Sequence, residues 1–434
     1  MPDLERKLRD KTAVIGIAGL GYVGLPLAIA FSEAGLKVLG FDTLQERVDM
    51  VNKGQSYIAS VGSDSLSVLV KNGSLQATTA QDRLREMDAI CICVPTPLTS
   101  TRQPDLTYVT RELEELSEYL QPGQLIVLES TTYPGTTREV ALPILERSGL
   151  KAGQDFYLAY SPERIDPGNR DYSIRNTPKI VGGIDSVSAG FAESLYSLVA
   201  DKVIKVSSTE VAEMTKVFEN VFRNVNIALV NELAQLCEKI GISVWEVVET
   251  ASSKPFGYMP FYPGPGVGGH CIPIDPYYLA NKAYEYDFHT RFIELAADIN
   301  EQMPYYVTSR IMEALSVSGK SLKGAGVLVL GVTYKKDTAD TRESPSLKLI
   351  RLLQEKGARI TYNDPYIPEL QLGKDTLASV EITDENLSSA DCVVIATAHD
   401  RYDIEKIVAL SKLVFDSRGV TRGLAGGNIV RLGE

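Results

Sequence analysis

The sequence is poor in the residues that metal sites and disulfide scaffolds need. Among 434 residues there are three histidines, His270, His289 and His399, and five cysteines, Cys91, Cys93, Cys237, Cys271 and Cys392. Neither H-x-x-x-H nor C-x-x-C spacing occurs, so no catalytic or structural metal is expected. An odd, unclustered set of cysteines reads as reduced thiols in a cytoplasmic protein. Of these, Cys91 and Cys93 alternate within an apolar strand and read as core. No run of about 18 apolar residues is present, so no membrane span is expected. Met1 to Lys11 is charged throughout and lacks the apolar stretch of a signal peptide. Positive charge is short too: the formal net charge of −12 leaves no clustered basic face for a nucleic acid or an anionic membrane. Any phosphate site must therefore be local. Charged residues at 23% and hydrophobic residues at 44% are ordinary globular values. The length exceeds what one core supports, which predicts two or three domains.

Thr12 to Ala18 reads as an apolar strand that runs into Gly19-Leu20-Gly21-Tyr22-Val23-Gly24 and then into a helical pattern, Leu25 to Ala34. A second strand, Lys37 to Phe41, ends in Asp42, about 20 residues beyond the glycines. In that context each glycine has a mechanical reason: the first makes the turn, the second admits a pyrophosphate, and the third lets the helix pack close. The helix N-terminus then faces the phosphates. Asp42 is expected to hydrogen-bond the adenosine ribose and repel a 2′-phosphate, which predicts NAD rather than NADP. Strands Ala89 to Val94 and Leu125 to Leu128 lead to Pro95-Thr96-Pro97 and Glu129-Ser130-Thr131-Thr132, at the sheet edge where such folds bind ligands. Those hydroxyls either line a nicotinamide or simply cap turns. Phe156 to Tyr160 ends in Ser161-Pro162-Glu163-Arg164, making Glu163 a candidate acid or base unless it is merely solvated.

From Thr209 to Gly241 no helix breaker interrupts a long pattern, with Val217, Phe218, Val221, Val225 and Leu229 as its apolar face. Lys216, Asn220 and Asn224 recur every fourth residue and form one polar column. Either that column is solvated, or a cation followed by amides holds an oxyanion. A helix of roughly 30 residues spans about 45 Å, which suits a spine between domains or a dimer interface.

Gly264-Pro265-Gly266-Val267-Gly268-Gly269-His270-Cys271-Ile272-Pro273-Ile274-Asp275-Pro276 cannot form regular helix or central strand. Such a backbone delivers one thiol and one carboxylate to a fixed place, and the thiol is a candidate nucleophile. A further helical stretch, Tyr277 to Ser316, is expected to break at Pro304. Past Leu322-Lys323-Gly324, strands Val327 to Leu330, Arg359 to Tyr362, Cys392 to Ala396 and Lys412 to Asp416, with helix Pro345 to Lys356, predict a second parallel sheet. Its first turn, Gly331 to Asp337, is no dinucleotide fingerprint. Lys335, Arg342 and Arg418 follow its strands and either clamp a diphosphate or form surface ion pairs.

Together, Gly19-x-Gly21-x-x-Gly24, Ser130-Thr131, Pro162-Glu163, Lys216-x-x-x-Asn220, Gly268-Gly269-His270-Cys271-x-Pro273-x-Asp275 and Asp340-Thr341-Arg342-Glu343-Ser344-Pro345 resemble the UDP-glucose/GDP-mannose dehydrogenase family, over nearly the whole chain. The resemblance implies two Rossmann-like doubly wound α/β domains with parallel sheets, joined by a long central helix. The expected divisions are 1–205 for NAD, 206–318 for helical dimerisation and catalysis, and 319–434 for the UDP-sugar. It implies oxidation of a sugar C6 alcohol to the carboxylate with two NAD, Cys271 as nucleophile, and a homodimer or higher oligomer. Lys216 and Asn220 would steady the alkoxide, Asp275 would orient or activate water, Glu163 would be the base of the hydrolytic half, and Thr131 would hold the water. The fingerprint residues Gly19, Gly21, Tyr22, Val23 and Gly24, with Asp42, Arg47, Thr96, Ser130, Thr131 and Arg342, would bind NAD. Tyr334, Lys335 and Arg418 would bind substrate.

Many UDP-glucose enzymes carry Lys before the aspartate, where Ile274 stands here. The His270-Cys271 pair and Pro162-Glu163-Arg164-Ile165-Asp166-Pro167-Gly168-Asn169 look like the branch acting on UDP-N-acetylhexosamines, with UDP-N-acetyl-D-glucosamine the nearest match. In that branch Glu163, Arg164, Ile165, Lys216, Asn220, Arg223 and Gly268 would line the sugar. His270 is expected to shape the loop rather than serve as the thiol's base. UDP-N-acetyl-D-mannosamine or UDP-glucose remain alternative substrates. A two-electron hydroxy acid dehydrogenase and an NAD-responsive binding protein are the alternatives outside this class.

Overall fold

The computed structural model describes residues 3–58, 61–99, 101–165, 171–269, 272–373 and 375–434. His270 and Cys271 lie outside the described residues, as do Asp166, Pro167, Gly168 and Asn169. The chain forms two compact units, Met1–Glu219 with Tyr277–Phe288, and Asn220–Pro276 with His289–Glu434.

The first unit holds an eight-stranded sheet of β1 (Val14–Ala18), β2 (Lys37–Phe41), β3 (Leu75–Thr78), β4 (Ala89–Ile92), β5 (Leu125–Leu128), β6 (Tyr157–Tyr160), β7 (Lys179–Gly183) and β8 (Val203–Lys205). Their spatial order is β3-β2-β1-β4-β5-β6-β7-β8. Strands β4 and β5 are AICI and LIVL, buried at every residue, as expected of parallel strands covered on both faces. Alternate residues feed two cores: Ile15, Ile17, Cys91 and Val127 on one side, Leu39, Phe41, Ile90, Ile92 and Leu128 on the other. The register aligns the strand ends, pairing Ala18 with Phe41 and with Ile92, and Leu128 with Ile92 and with Tyr160. Gly19, Asp42, Glu129 and Ser161 therefore leave the sheet at one edge, beside the point where crossovers depart from β1 in opposite directions.

Two strands depart from an all-parallel sheet, β7 and, parallel to it, β8. β7 runs antiparallel to β6, because the described part of the connection from 161 to 178 contains no helix to carry a parallel crossover. The reversal has a local effect. It brings the first residue of β7, Lys179, to the edge where the parallel strands end.

The second unit holds a five-stranded parallel sheet of β9 (Gly326–Leu330), β10 (Arg359–Asn363), β13 (Cys392–Ile395), β14 (Val414–Asp416) and β15 (Ile429–Arg431) in the order β10-β9-β13-β14-β15. A hairpin of β11 (Glu369–Leu372) and β12 (Asp375–Ala378) stands apart from it.

The long helix runs Thr209–Ile240. It stops where Gly241 takes φ +74 and the Ile242 amide returns to the Cys237 carbonyl at 3.0 Å, a left-handed C-terminal cap. Its apolar residues do not form the one face expected of them. Val217 and Val221 are buried, whereas Phe218 and Leu229 are about 60% exposed; the spacing mixes two stripes a quarter-turn apart. Pro304 does not break its helix. It sits inside the helix Arg291–Val317, and the break falls earlier, between that helix and Asp275–Tyr284, where Asp287 takes φ +53. A mid-helix proline leaves the carbonyl four residues back without its amide. Here that carbonyl, of Asn300, lies where Gly266 approaches: a Cβ on Gly266 would stand 3.2 Å from it. No described helix is long and apolar enough to cross a membrane.

Candidate active site

In the first unit the glycine turn shows its purpose through space. Gly19 has φ +91 and a Cβ there would meet the Cys93 carbonyl oxygen at 2.8 Å; a Cβ on Gly24 would meet the Gly19 oxygen at 1.9 Å. Both are demanded by the protein's own packing. A Cβ on Gly21 meets nothing within 4 Å, so protein packing does not require glycine there, and the open space suits the close approach of a dinucleotide. The helix Gly24–Glu33 begins at Val23 with no side-chain cap, which leaves its first amides for an anion. Tyr22 beside it is exposed.

Asp42 is buried, accepting the Leu20 amide at 3.1 Å and the Leu44 amide at 3.0 Å, with Arg47 at 3.4 Å. A carboxylate offers about four acceptor positions, so one remains for a ribose hydroxyl. These residues fit NAD. Tyr57, which the sequence did not single out, completes the corner: its hydroxyl donates to the Leu20 carbonyl at 2.5 Å, and Arg47 lies 5.6 Å above its ring. Burial, with Asp42 nearby, pushes its phenol up to about 12. If Asp42 excludes the 2′-phosphate, Asp42→Asn frees Arg47 to pair with one, and the ratio of kcat/KM for NADP to that for NAD should rise about tenfold or more. An unchanged ratio would contradict the ribose role.

Thr96 is buried, and Ser130 donates to the Val94 carbonyl at 2.7 Å, so its proton ties two strand ends together. Thr131 is half-buried. Glu163 accepts the Arg164 and Ile165 amides at 2.7 and 2.5 Å, and its other oxygen lies 3.7 Å from the Lys179 amine. The Arg164 guanidinium grips Glu219 through two nitrogens and donates to the Pro178 carbonyl at 2.5 Å.

Beneath Glu163 lies a buried cluster that sequence reasoning missed. Lys179 pairs with Glu129 at 2.7 Å, and Tyr196 donates to Glu129. Burial raises the Glu129 pKa, against the pull of Lys179. Burial also opposes charge on Lys179, but Glu129 and Glu163 outweigh it and hold the amine above the ordinary lysine value. Glu213, also unpredicted, accepts from the Gly135 amide and from the Thr137 amide and hydroxyl at 2.6, 2.8 and 2.6 Å, pinning that turn to the long helix. Burial takes its carboxyl up to about 7. One turn later on the same helix, Lys216 is only 8% exposed, and among the described residues it makes no hydrogen bond or ion pair.

In the second unit, Asn220 and Asp275 are brought together. The fully buried Asn220 amide donates to the Asp275 carboxylate, and its oxygen accepts from Arg223. Asn224, the next residue of the column, plays a different part, because it and Asn231 converge on Asn300, and Asn231 accepts the Gly264 amide at 3.0 Å. That ladder seats the Gly/Pro stretch. Gly268 and Gly269 lie against Tyr334, where a Cβ would meet its atoms at 2.7 and 2.9 Å, and the Gly269 amide donates to the Arg342 carbonyl at 3.0 Å. A Cβ on Gly264 would stand 2.6 Å from the Arg418 guanidinium. Burial lowers the pKa of Arg418 to about 10, and its Nε donates to the Ala396 carbonyl at 2.7 Å. Lys335 is half-buried. The exposed Arg342 forks onto Asp340 at 2.6 to 3.1 Å.

Comparison with known proteins agrees along nearly the whole chain. The UDP-glucose/GDP-mannose dehydrogenase family matches through its NAD binding domain at residues 13–200, its central domain at 210–302 and its UDP binding domain at 328–423. The UDP-N-acetyl-D-mannosamine dehydrogenase of Pyrococcus horikoshii is 36% identical over 423 residues, 96% of this chain and 98% of that protein. The UDP-N-acetyl-D-glucosamine 6-dehydrogenase of Pseudomonas aeruginosa is 35% identical over 397 residues, 90% of this chain and 92% of that protein. The solved structure of the Pyrococcus horikoshii UDP-D-ManNAc dehydrogenase superposes with a TM-score of 0.89 at 34% identity, covering 97% of this chain and 99% of that one. With a glycine turn fitted to a dinucleotide and all three family domains in order, the chain belongs to the UDP-glucose/GDP-mannose dehydrogenase family and is an NAD-dependent nucleotide-sugar dehydrogenase.

Proposed function

We propose that the protein oxidises the C6 hydroxymethyl of a UDP-N-acetylhexosamine to the carboxylate, with UDP-N-acetyl-D-glucosamine as substrate. The observation that carries the reading is the buried Asn220–Asp275 pair, one helical turn from a buried lysine with no described partner. Lys216 and Asn220 are the cation and amide that a developing alkoxide needs. One Asn220 N–H is held by Asp275 and its oxygen by Arg223, so the second N–H keeps a fixed direction.

Gly19, Gly21, Tyr22, Val23, Gly24, Asp42, Arg47, Thr96, Ser130, Thr131 and Arg342 would hold NAD, which would supply the hydride acceptor, twice per sugar. An aldehyde has no hydride to give until something adds to it. The Cys271 thiolate forms the C–S bond to C6 as the carbonyl π bond breaks, and Lys216 and Asn220 hold the oxygen's charge. Loss of the second hydride restores the carbonyl as a thioester. Glu163 then takes a proton from a water held by Thr131 and Asp275; the water's oxygen bonds to C6, the C–S bond breaks, and the thiolate is regenerated. Arg164, Ile165, Arg223 and Gly268 are assigned to the sugar, and Tyr334, Lys335 and Arg418 to the UDP. The apposition of Gly264, Gly268 and Gly269 with Tyr334 and Arg418 supports that grip.

The divisions 1–205, 206–318 and 319–434 are assigned to NAD, to helical dimerisation with catalysis, and to the UDP-sugar. Exposed Phe222, Leu229 and Leu236, seven residues apart on the long helix, support a homodimer or higher oligomer. The four described cysteines are buried free thiols, which supports a reducing, cytoplasmic setting. UDP-N-acetyl-D-mannosamine is the second reading, favoured by the Pyrococcus horikoshii likeness. Incubating the protein with UDP-N-acetyl-D-glucosamine, UDP-N-acetyl-D-mannosamine and UDP-glucose, and counting NADH at completion, separates these. The proposal expects two NADH per acetylated sugar consumed, fastest with the glucosamine epimer. One NADH per substrate would point to a two-electron enzyme.

A further inference from the structure

We propose that Lys179 is a positioning residue for the hydrolytic step, an ammonium shared between Glu129 and Glu163 that keeps Glu163 ionised as a base. The proposal rests on the reading of Glu163 as the base that activates water. It begins with the antiparallel return of β7, which delivers the first residue of that strand to the edge where β5 and β6 end. Lys179 stands there with its side chain 7% exposed, 2.7 Å from the fully buried Glu129 carboxylate and 3.7 Å from Glu163, itself 14% exposed. Among the described residues, the titratable groups around the amine are Glu129 and Glu163, Tyr196 with its ring centroid at 4.8 Å, and the thiols Cys91 and Cys93.

Two carboxylates flank one ammonium. Without the cation they would face each other and one would take up a proton. With it, one positive charge faces both carboxylates. One Glu163 oxygen is turned toward Lys179, while the other is occupied by the Arg164 and Ile165 amides. Rotation of the carboxylate is thus restrained by a group that need not touch substrate.

Lys179→Met removes the cation, so the acid limb of thioester hydrolysis should move up by about one pH unit or more. Glu129→Gln removes the competing anion and leaves the ammonium to Glu163, so the limb should move down. Lys179→Arg should restore the wild-type limb. The measurement is release of the acid after rapid formation of two NADH, followed across pH with the UDP-sugar that gives two. Because Lys179→Met strands a buried carboxylate and risks unfolding, Lys179→Met/Glu129→Gln is measured beside it; with both buried charges removed, its limb should still lie above that of Glu129→Gln alone. Opposite shifts support the proposal, whereas limbs that stay put, or move together, overturn it. Glu163→Gln is the control for the underlying reading. If it leaves hydrolysis unchanged, the base assignment itself fails and the Lys179 role falls with it; if it slows hydrolysis while the Lys179 variants shift nothing, only the proposal made here fails.

Discussion

Cys271→Ser should lower formation of the uronic acid by at least about a thousandfold, while NAD binding stays within about twofold. A serine hydroxyl is scarcely ionised near neutral pH, so it does not add to an aldehyde unaided, and the second hydride has no tetrahedral carbon to leave from. The glycine turn and the Asp42 corner that fit the cofactor are far away in sequence and unaltered. Product is read by mass spectrometry after prolonged incubation and NAD binding by fluorescence titration. Parallel loss of both would mean that the thiol supports the structure and not the chemistry.

Lys216→Met is expected to reduce kcat by about a hundred- to a thousandfold with KM changed only a few fold, the pattern of an interaction made chiefly in the transition state. The physical case lies in its burial. An ammonium 8% exposed and without a described partner is unfavourable for folding, so the norleucine-like methionine should leave Tm unchanged or raise it. Lys216→Arg should not rescue the rate, because a planar guanidinium does not replace a compact point charge. A kcat within threefold of wild type would remove Lys216 from the mechanism; a large drop in Tm would make it structural.

What could be read from the residues follows from how local the signals are. Continuous apolar runs such as LIVL at β5 announce strands covered on both faces. The glycines at 19, 21 and 24 announce their turn because backbone geometry and a ligand restrict them together. The pairing of Asn220 with Asp275 was approachable because both belonged to recognisable motifs, although nothing in the sequence says that one touches the other. Lys179 was invisible: a lysine at the start of a strand is usually solvated, and its burial depends on β7 running backwards, which the connection from 161 to 178 does not advertise. Asn224 is equivalent to Asn220 by spacing, yet its partner is Asn300, 76 residues on. Phe218 and Leu229 misled because helical periodicity cannot distinguish a stripe that meets the core from one left bare. Pro304 misled because a helix tolerates proline where a neighbouring segment fills the gap.

The ladder of Asn224, Asn300 and Asn231 holding Gly264 is built wholly from neutral amides. Amides neither titrate nor attract counterions, so acidification or added salt leaves this clamp intact while it alters the carboxylates and lysines elsewhere. The seat of the glycine stretch should consequently be the same at pH 5 and pH 9, and acid or alkaline loss of turnover would then report proton movements on a fixed scaffold rather than its loosening.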